Sequence, residues 1–214
     1  IDKSNWLAIE NRRLTLQSGE VFMATWRLSP ASDGQAVVTK QRPIDDFQAI
    51  DPFDGKQRNL GFLLDSRLYA DGLVVLRNGR VITERYRNGL TPDKPRLLLE
   101  ATRPLLNLLG AISVSQGKLA ADKSVIRYLP DLATSTGLRK ISIRRLLDSE
   151  ERHAWSPEEL DSWRHAGGWT DNQADSSIRT WLSQSGRWDK PLNEQEGAIF
   201  DASPDDDLLA WTLA

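Results

Sequence analysis

Ser115 and Lys118 have the spacing of a Ser-x-x-Lys pair, in which a lysine amine takes the proton of a serine hydroxyl so that the serine can attack a carbonyl carbon. Such a pair would catalyse acyl transfer. Both residues, however, follow the apolar run of a predicted helix and flank Gly117, whose tolerance of left-handed backbone suits a C-terminal helix cap. This position favours a structural role for the pair over a catalytic one.

Two other sets of residues could do chemistry. Thr102 offers a hydroxyl next to Arg103, but no base is visible beside it, and a role as the N-cap of a helix is the better interpretation. His153 and His165 are the only histidines, too few and too isolated in the chain for a zinc site. We expect both histidines to lie on the surface or in loops.

Four aspartates near the C-terminus could supply the oxygen ligands that Ca²⁺ prefers; they are Asp201, Asp205, Asp206 and Asp207. Their spacing fits no EF-hand loop. An acidic run at the start of a helix instead predicts N-terminal capping and solvation. We therefore predict no metal site.

Several of the eight tryptophans lie between Trp155 and Trp188, where they could line an aromatic pocket. Packing in a core is the interpretation we favour, because large aromatic side chains dominate core burial. The sequence contains no Gly-x-Ser-x-Gly elbow and no phosphate-binding glycine loop, so it predicts no cofactor.

Composition excludes several classes of partner. Lys and Arg number 28 and Asp and Glu number 30, spread along 214 residues, so the chain has no basic face for nucleic acid or anionic lipid. No apolar run approaches the roughly 18 residues of a membrane span, and we expect a soluble globular protein. The absence of Cys excludes disulfides and thiolate nucleophiles but is compatible with both the cytoplasm and the periplasm.

The local patterns divide the chain into three parts. Residues 1–65 are rich in Pro and Gly and predict a loop-rich wrap. Residues 66–96 contain two β-rich runs joined by Asn78-Gly79, the strongest short-range signal for a two-residue β-hairpin. Residues 97–214 show mostly helical periodicity, including a long, largely buried helix that ends near Gly117.

Shorter helical pieces are predicted after that long helix, over residues 125–129, 143–147, 177–182 and 208–213. No convincing strand follows Gly89. A lone hairpin is marginal in water and needs further strands or a covering helix. Either helices alone cover the hairpin, or the missing strands lie beyond Ala214 or on another chain.

The chain resembles the serine hydrolases related to class C β-lactamases and penicillin-binding proteins, especially the aminohexanoate-oligomer (nylon) hydrolase and esterase branch. The resemblance runs from about Asp71 to Leu213 and is carried by successive landmarks: DGLVVLRNGRVITERYRNGLTPDKPRLLL, GAISVSQGKLAADKSVIRYLPDLA, ISIRRLLD, HAGGW and SPDDDLLAW. It implies an α/β (α+β) fold of the β-lactamase/DD-peptidase type. The chain would then hold the N-terminal part of the sheet and the helical insertion, without the C-terminal strands.

The resemblance also implies where catalytic groups should stand. In the family a Ser begins the first long helix with a Lys one turn later; the matching positions here are Glu100 and Arg103. A Tyr that relays the proton of the nucleophile matches Asp201, and Ser203 matches the last member of the Tyr motif. The family's catalytic Ser, Lys and Tyr are therefore all replaced.

The replacements are poor substitutes. The charge of Glu100 would repel a tetrahedral oxyanion, and the guanidinium of Arg103 has no accessible neutral form with which to act as a base. The ring of Pro104 would clash with the carbonyl of Glu100 if that residue were already helical. We therefore expect the helix to begin near Thr102 as N-cap, with Pro104 in its first turn.

Three functions remain open. The first is a non-catalytic protein with a hydrolase fold and a binding, scaffolding or regulatory role, in which Glu100, Arg103 and Asp201 converge as a salt-bridged plug. The second is an active hydrolase of esters, amides or β-lactams that uses displaced groups or a partner segment. The third is a subunit or fragment completed by a second chain or another copy of itself.

Overall fold

A computed structural model describes residues 1–23, 25, 42–148, 151–170, 177–194 and 202–214. The chain forms two compact units, one of Ile1–Thr15 with Leu97–Ala214 and one of Leu16–Arg96. Residue 97 is also where the helical periodicity of the sequence begins. The three-part division of the sequence stays a prediction, and the first 15 residues group with the helical unit.

The described residues of the Leu16–Arg96 unit contain two antiparallel strand pairs and, between them, a short helical segment. The strands are β1 (Gln48–Ile50), β2 (Gln57–Asn59), β3 (Gly72–Arg77) and β4 (Arg80–Tyr86), and the helical segment comprises α2 (Leu60–Phe62) with a π-turn (Leu63–Arg67). Asn78 and Gly79 connect β3 to β4 with φ angles of 51° and 71°. Positive φ at both positions is the requirement of a type I′ turn, and the predicted hairpin is confirmed.

In its described ranges the helical unit is built from six α-helices and one short strand pair. They are α1 (Ile9–Leu16, whose last residue falls in the other unit), α3 (Thr102–Ser115), α4 (Ile143–Asp148), β5 (Glu151–His153), α5 (Pro157–Ala166), α6 (Ile178–Leu182), β6 (Leu192–Glu194) and α7 (Pro204–Leu213). The long predicted helix is α3, and Gly117 follows its C-cap with a φ of 70°, as expected for a left-handed cap. The prediction that this helix is largely buried was wrong, because four of its apolar side chains are 41–56% exposed. Predicted segments 143–147, 177–182 and 208–213 fall on α4, α6 and α7, whereas 125–129 gives only a 3₁₀ turn at Val125–Arg127.

An apolar core holds the helical unit together. Its most completely buried members are Val125, Leu138, Ile143, Trp181, Leu182, Trp188, Leu208 and Leu209. Burial of a large apolar side chain contributes about 1.5–3 kcal/mol to folding, so this cluster supplies much of the stability of the unit. The core fixes α4, α6 and α7 around one centre.

Short elements were the hardest to predict. The loop-rich wrap over residues 1–65 stays a prediction, and α1, β1 and β2 are regular elements within that range. No strand was expected after Gly89, yet β5 and β6 pair antiparallel with Glu151 opposite Glu194 and His153 opposite Leu192. Each of these strands has three residues, too few for a two-residue alternation to stand out in the sequence.

The longest described helix, α3, has 14 residues, and no helix in the described part of the chain is long and apolar enough to cross a membrane.

Candidate functional site

The candidate site lies where the first turns of α3 and α7 meet. The guanidinium of Arg103, in the first turn of α3, forms an ion pair with the carboxylate of Asp206, in the first turn of α7. The side chains of Arg103 and Asp206 are 10% and 13% exposed, so the pair is largely removed from water. Away from water the attraction between the two charges is stronger than at the surface, but the free-energy cost of desolvating each charge is also higher.

The start of α3 is irregular. A 3₁₀ turn at Leu99–Ala101 precedes the helix, and Leu99 has a φ of 48°, which is unfavourable for a residue with a side chain. Glu100 lies in this turn and is exposed to solvent. Pro104 falls in the first helical turn, as predicted, where a missing N–H removes no intrahelical hydrogen bond.

The expectation that Thr102 is the N-cap of α3 was wrong. Thr102 is the first helical residue and Ala101 is the N-cap, which makes no side-chain capping hydrogen bond. The helical backbone of Ala101 follows directly from the preceding 3₁₀ turn, so the chain enters α3 without the extended residue on which side-chain capping depends.

The start of α7 is regular by contrast. Ser203 is an extended, buried N-cap, Pro204 occupies the first helical position, and the backbone N–H of Ser203 donates to Oδ2 of Asp206 at 2.9 Å. This is the reciprocal half of a capping box. One carboxylate therefore caps α7 through one oxygen and binds Arg103 through the other.

Asp205 anchors a different part of the unit. It is 5% exposed, and its two oxygens contact Nδ1 of His153 at 2.6 Å and Nε1 of Trp155 at 2.7 Å. The prediction of a surface or loop position for His153 was wrong, because this residue is 5% exposed and belongs to β5. The ring of His153 also packs edge-on against Trp188, with centroids 4.9 Å apart.

Asp207 anchors a third segment. Its Oδ2 accepts a hydrogen bond from Nε1 of Trp163 in α5 at 2.6 Å. Burial raises the pKa of the Asp207 carboxyl, and the Trp163 hydrogen bond only partly opposes that effect. The predicted solvation of this acidic run is wrong for Asp205 and Asp207, while the predicted capping role holds for Asp206.

Four of the five tryptophans from Trp155 to Trp188 pack in the core, as predicted, whereas Trp169 stacks on Trp6 outside the core cluster. Trp163, Trp181 and Trp188 are members of the core cluster, and Trp155 packs against it with its centroid 5.6 Å from that of Trp181. Cations lie on this aromatic group: the guanidinium of Arg187 is 3.6 Å from the ring centroid of Trp181, and Lys190 sits over Trp155. Cation–π contacts of this kind contribute about 0.5–2 kcal/mol each.

The positions inferred from the family pattern are only partly brought together. Arg103 and Ser203 are both buried and both contact Asp206, which the sequence placed in the capping run of α7 but not beside Arg103. Glu100 is exposed, and Asp201 lies outside the described residues. The spacing Ser203-x-x-Asp206 could have singled out Asp206 among these aspartates, since a side chain at the third helical position can bond back to the N-cap.

The other candidate nucleophile pair is at the surface. Ser115 and Lys118 are both exposed, and the Ser115 hydroxyl donates to the carbonyl of Ile112 within its own helix at 2.8 Å. Within the described ranges no group of three His, Asp or Glu side chains could hold a metal ion. For His153 and Asp205, 52 residues apart, no spacing rule in the sequence indicated a pair.

Comparison with known proteins gives the fold. No protein-family model matches the chain. The 6-aminohexanoate-dimer hydrolase of Paenarthrobacter ureafaciens is 25% identical over 215 aligned positions, which cover 92% of this chain and 54% of that protein. The solved structure of a putative 6-aminohexanoate-dimer hydrolase from Bacillus anthracis is similar to 99% of this chain and 56% of its own, with a TM-score of 0.75 and 19% identity. The chain has the fold of the matched part of that structure.

The chain spans about half the length of these relatives. Its mixed α and β architecture with small sheets agrees with the α/β (α+β) prediction at that level. The resemblance seen in the sequence is thus supported by relatives that carry hydrolase names.

Proposed function

We propose that this chain is a non-catalytic protein with a serine-hydrolase fold, in which the positions of the former nucleophile and base now serve structure. The observation that carries the proposal is the ion pair between Arg103 and Asp206. Arg103 occupies the position where the family pattern has a proton-accepting Lys. Because a guanidinium keeps its charge at all accessible pH values, an Arg buried against a carboxylate is suited to binding and not to proton transfer.

The surroundings of Arg103 support the same proposal. Glu100, at the position of the nucleophile, carries a charge that repels a tetrahedral oxyanion and lies exposed in a 3₁₀ turn. The first turn of α3 also has no side-chain cap. The helix start at which the family pattern has its nucleophile is therefore not a capped one. The plug proposed from the sequence is thereby revised, with Asp206 as the carboxylate that pairs with Arg103.

The remaining role of such a protein is binding, scaffolding or regulation. The hydrolase activity implied by the names of its relatives is the competing proposal. If the chain is an active hydrolase, its catalytic side chains lie at positions other than those of the family pattern, and its nucleophile is a residue other than Glu100.

An acylation experiment separates the two proposals. The folded chain is incubated with a fluorescent penicillin and, separately, with p-nitrophenyl acetate, and its intact mass is compared with that of a heat-denatured control. We expect no stoichiometric adduct in protein shown to be folded by near-UV circular dichroism. A single adduct that requires the folded state would overturn the non-catalytic proposal, and peptide mapping would identify the nucleophile.

A restored variant sharpens this experiment. Glu100→Ser combined with Arg103→Lys reinstates the Ser and Lys positions of the family pattern. We expect this variant also to remain unlabelled, because the introduced amine would face Asp206 as a charged ion-pair partner and not as a neutral base. Labelling of the double variant but not of the wild type would show that the two substitutions alone account for the missing activity.

One observation favours a second candidate, in which a second chain completes the fold. Four apolar residues of α3 are 41–56% exposed: Leu105, Leu108, Leu109 and Ile112. A contiguous exposed apolar face on a helix marks an interaction surface. Sedimentation equilibrium tests this candidate, since a monomer at all concentrations would exclude association between copies of the chain.

A further inference from the structure

The tripeptide Arg-Asn-Gly occurs twice in the Leu16–Arg96 unit, as Arg77-Asn78-Gly79 and as Arg87-Asn88-Gly89. An asparagine that precedes glycine is prone to lose its side-chain nitrogen, because glycine has no side chain to hinder an attack by its backbone nitrogen on the asparagine amide. Both asparagines have the same two neighbours, so the sequence around them does not distinguish their reactivity.

The backbone does not distinguish the two sites either. Asn78 and Gly79 have φ angles of 51° and 71°, and Asn88 and Gly89 have φ angles of 54° and 81°. All four residues are exposed to solvent. A difference in reactivity between the two sites must therefore come from the contacts that hold each asparagine.

The side chain of Asn88 is anchored. Its Nδ2 donates to Oδ1 of Asp71 at 2.9 Å, and that carboxylate, 4% exposed, also accepts from Nη1 of Arg96 at 2.7 Å. Hydrogen bonds to a charged acceptor are stronger than those between neutral groups. The ammonium of Lys94 also donates to the carbonyl of Gly89 at 3.1 Å. The bond to Asp71 must break before the amide carbon of Asn88 can turn towards the nitrogen of Gly89.

Asn78 has no such anchor. Within the part of the chain that the structure describes, its side chain forms no hydrogen bond. A side chain added at Gly79 would meet no atom within 4 Å, so the space beside this glycine is open. The turn can therefore leave its conformation without breaking a side-chain contact of Asn78, and exposed turns open locally at a low cost in free energy.

Two cations flank this turn. Arg77 and Arg80 are exposed, and in the described ranges neither guanidinium takes part in an ion pair. Attack on Asn78 requires the backbone N–H of Gly79 to lose its proton, and positive charge nearby stabilises the anion that forms. At the other turn, the second of these positions is occupied by Leu90.

We propose that Asn78 deamidates spontaneously in the folded chain and that Asn88 is protected. The nitrogen of Gly79 loses its proton and forms a bond to the side-chain amide carbon of Asn78. The amide nitrogen takes up a proton and leaves as ammonia, so that a five-membered succinimide ring remains. Water then adds to one of the two ring carbonyls and opens the ring to aspartate or isoaspartate.

The two products affect the β3–β4 hairpin differently. Aspartate retains the two-residue turn, because Asp-Gly also favours the type I′ conformation, and it places a carboxylate between Arg77 and Arg80. Isoaspartate adds one carbon to the main chain of the loop, so the turn that sets the register of β3 against β4 is altered. The tip of the hairpin therefore acquires a negative charge as the protein ages and, in some of the molecules, a longer loop.

Peptide mapping of the aged protein tests the proposal. The full chain is incubated in mildly alkaline buffer and digested with endoproteinase Glu-C, which cleaves after Glu84 and thereby places Asn78 and Asn88 in different peptides. Mass spectrometry then measures the fraction of each amide that has become a carboxyl. We expect deamidation of Asn78 to be at least about tenfold faster than that of Asn88 while the chain is folded. Equal rates, a faster reaction at Asn88 or no reaction at Asn78 would overturn the proposal.

Unfolding supplies the matched control. In guanidinium chloride the anchor of Asn88 is lost, and we expect the two rates to agree within about twofold. A difference of about tenfold that persists in the unfolded chain would refute protection by Asp71. Asn78→Gln lengthens the side chain so that the five-membered ring cannot form, and this variant should abolish the modification in its peptide. A modification that remains there would place the reaction at another residue and refute the site.

Discussion

The starts of α3 and α7 are built in opposite ways, although they contact each other in one unit. The first turn of α3 has no acidic residue, no side-chain cap and a cation, Arg103, at the positive end of the helix dipole. The first turn of α7 has an extended Ser203 at the N-cap, Pro204 at the first position and three aspartates. Local rules favour the second arrangement and disfavour the first.

The difference shows that one helix start stabilises the other. Asp206 has a favourable position at the start of α7 and places its second oxygen on Arg103, whose own position in α3 is unfavourable. The tertiary ion pair thus compensates for a local arrangement that the sequence of α3 would not support alone. Removing groups from each side tests this dependence.

The largest effect is expected for Arg103→Ala. This change leaves Asp206 as a buried carboxylate without its cation, and the free energy of unfolding should fall by about 3–5 kcal/mol. Urea unfolding followed by circular dichroism measures the change. The exposed Arg144→Ala is the matched control and should shift stability by no more than about 0.5 kcal/mol.

A double variant distinguishes the ion pair from other roles of Arg103. Arg103→Met with Asp206→Asn removes both charges and retains an oxygen that can accept from the Ser203 N–H. We expect it to be more stable than Arg103→Ala, because no isolated charge is left buried. If Arg103→Ala left the melting temperature unchanged, the structural role of Arg103 would be refuted.

The next largest effect is expected for Asp205→Ala, on the α7 side of the comparison. This change removes both acceptor oxygens and leaves the Nε1–H of Trp155 and Nδ1 of His153 without their partner. An unsatisfied buried donor costs about 1–3 kcal/mol, which urea unfolding would measure. Asp131→Ala, at an exposed position, serves as control, and an equal loss there would contradict this explanation.

A smaller effect is expected from glycine substitutions before α3. Leu99 has a φ of 48° and its neighbour Leu98 a φ of −83°, so glycine relieves strain only at residue 99. Leu99→Gly should therefore be more stable than Leu98→Gly by about 1 kcal/mol. Thermal unfolding of the two variants measures the difference, and equal stabilities would show that Leu99 is not strained.

The smallest effect is expected for Asp207→Asn, which can keep the hydrogen bond from Trp163 and removes only the charge. Burial raises the pKa of Asp207 in the folded state, so this group favours folding below its unfolded-state pKa and loses that contribution as pH rises through its folded pKa. Relative to wild type, the variant should be more stable at pH 7 than at pH 3. Urea unfolding at both pH values tests the sign, and the reverse order would contradict a buried, charge-penalised carboxyl.

The sequence predicted features that depend on neighbouring residues. The β3–β4 hairpin followed from Asn78-Gly79, the end of α3 from Gly117, and the position of Pro104 in the first turn from its ring geometry. It missed the short strands β5 and β6, which are stabilised by pairing between segments about 40 residues apart. It also predicted that His153 lies on the surface or in a loop, because a single polar residue in a short strand gives no sign of burial.

The sequence by itself predicts, through its resemblance to the serine hydrolases, that Glu100 and Arg103 stand at the positions of the family's serine and lysine, and it determines that a guanidinium cannot act as the base there. Only the tertiary structure decided that Asp206 pairs with Arg103 and that Asp205 binds His153. The physical reason is that three adjacent aspartates are chemically alike, and the direction of each side chain around α7 sets its partner. Packing of the core fixes the direction of each side chain, and no pattern of neighbouring residues in the sequence predicts it.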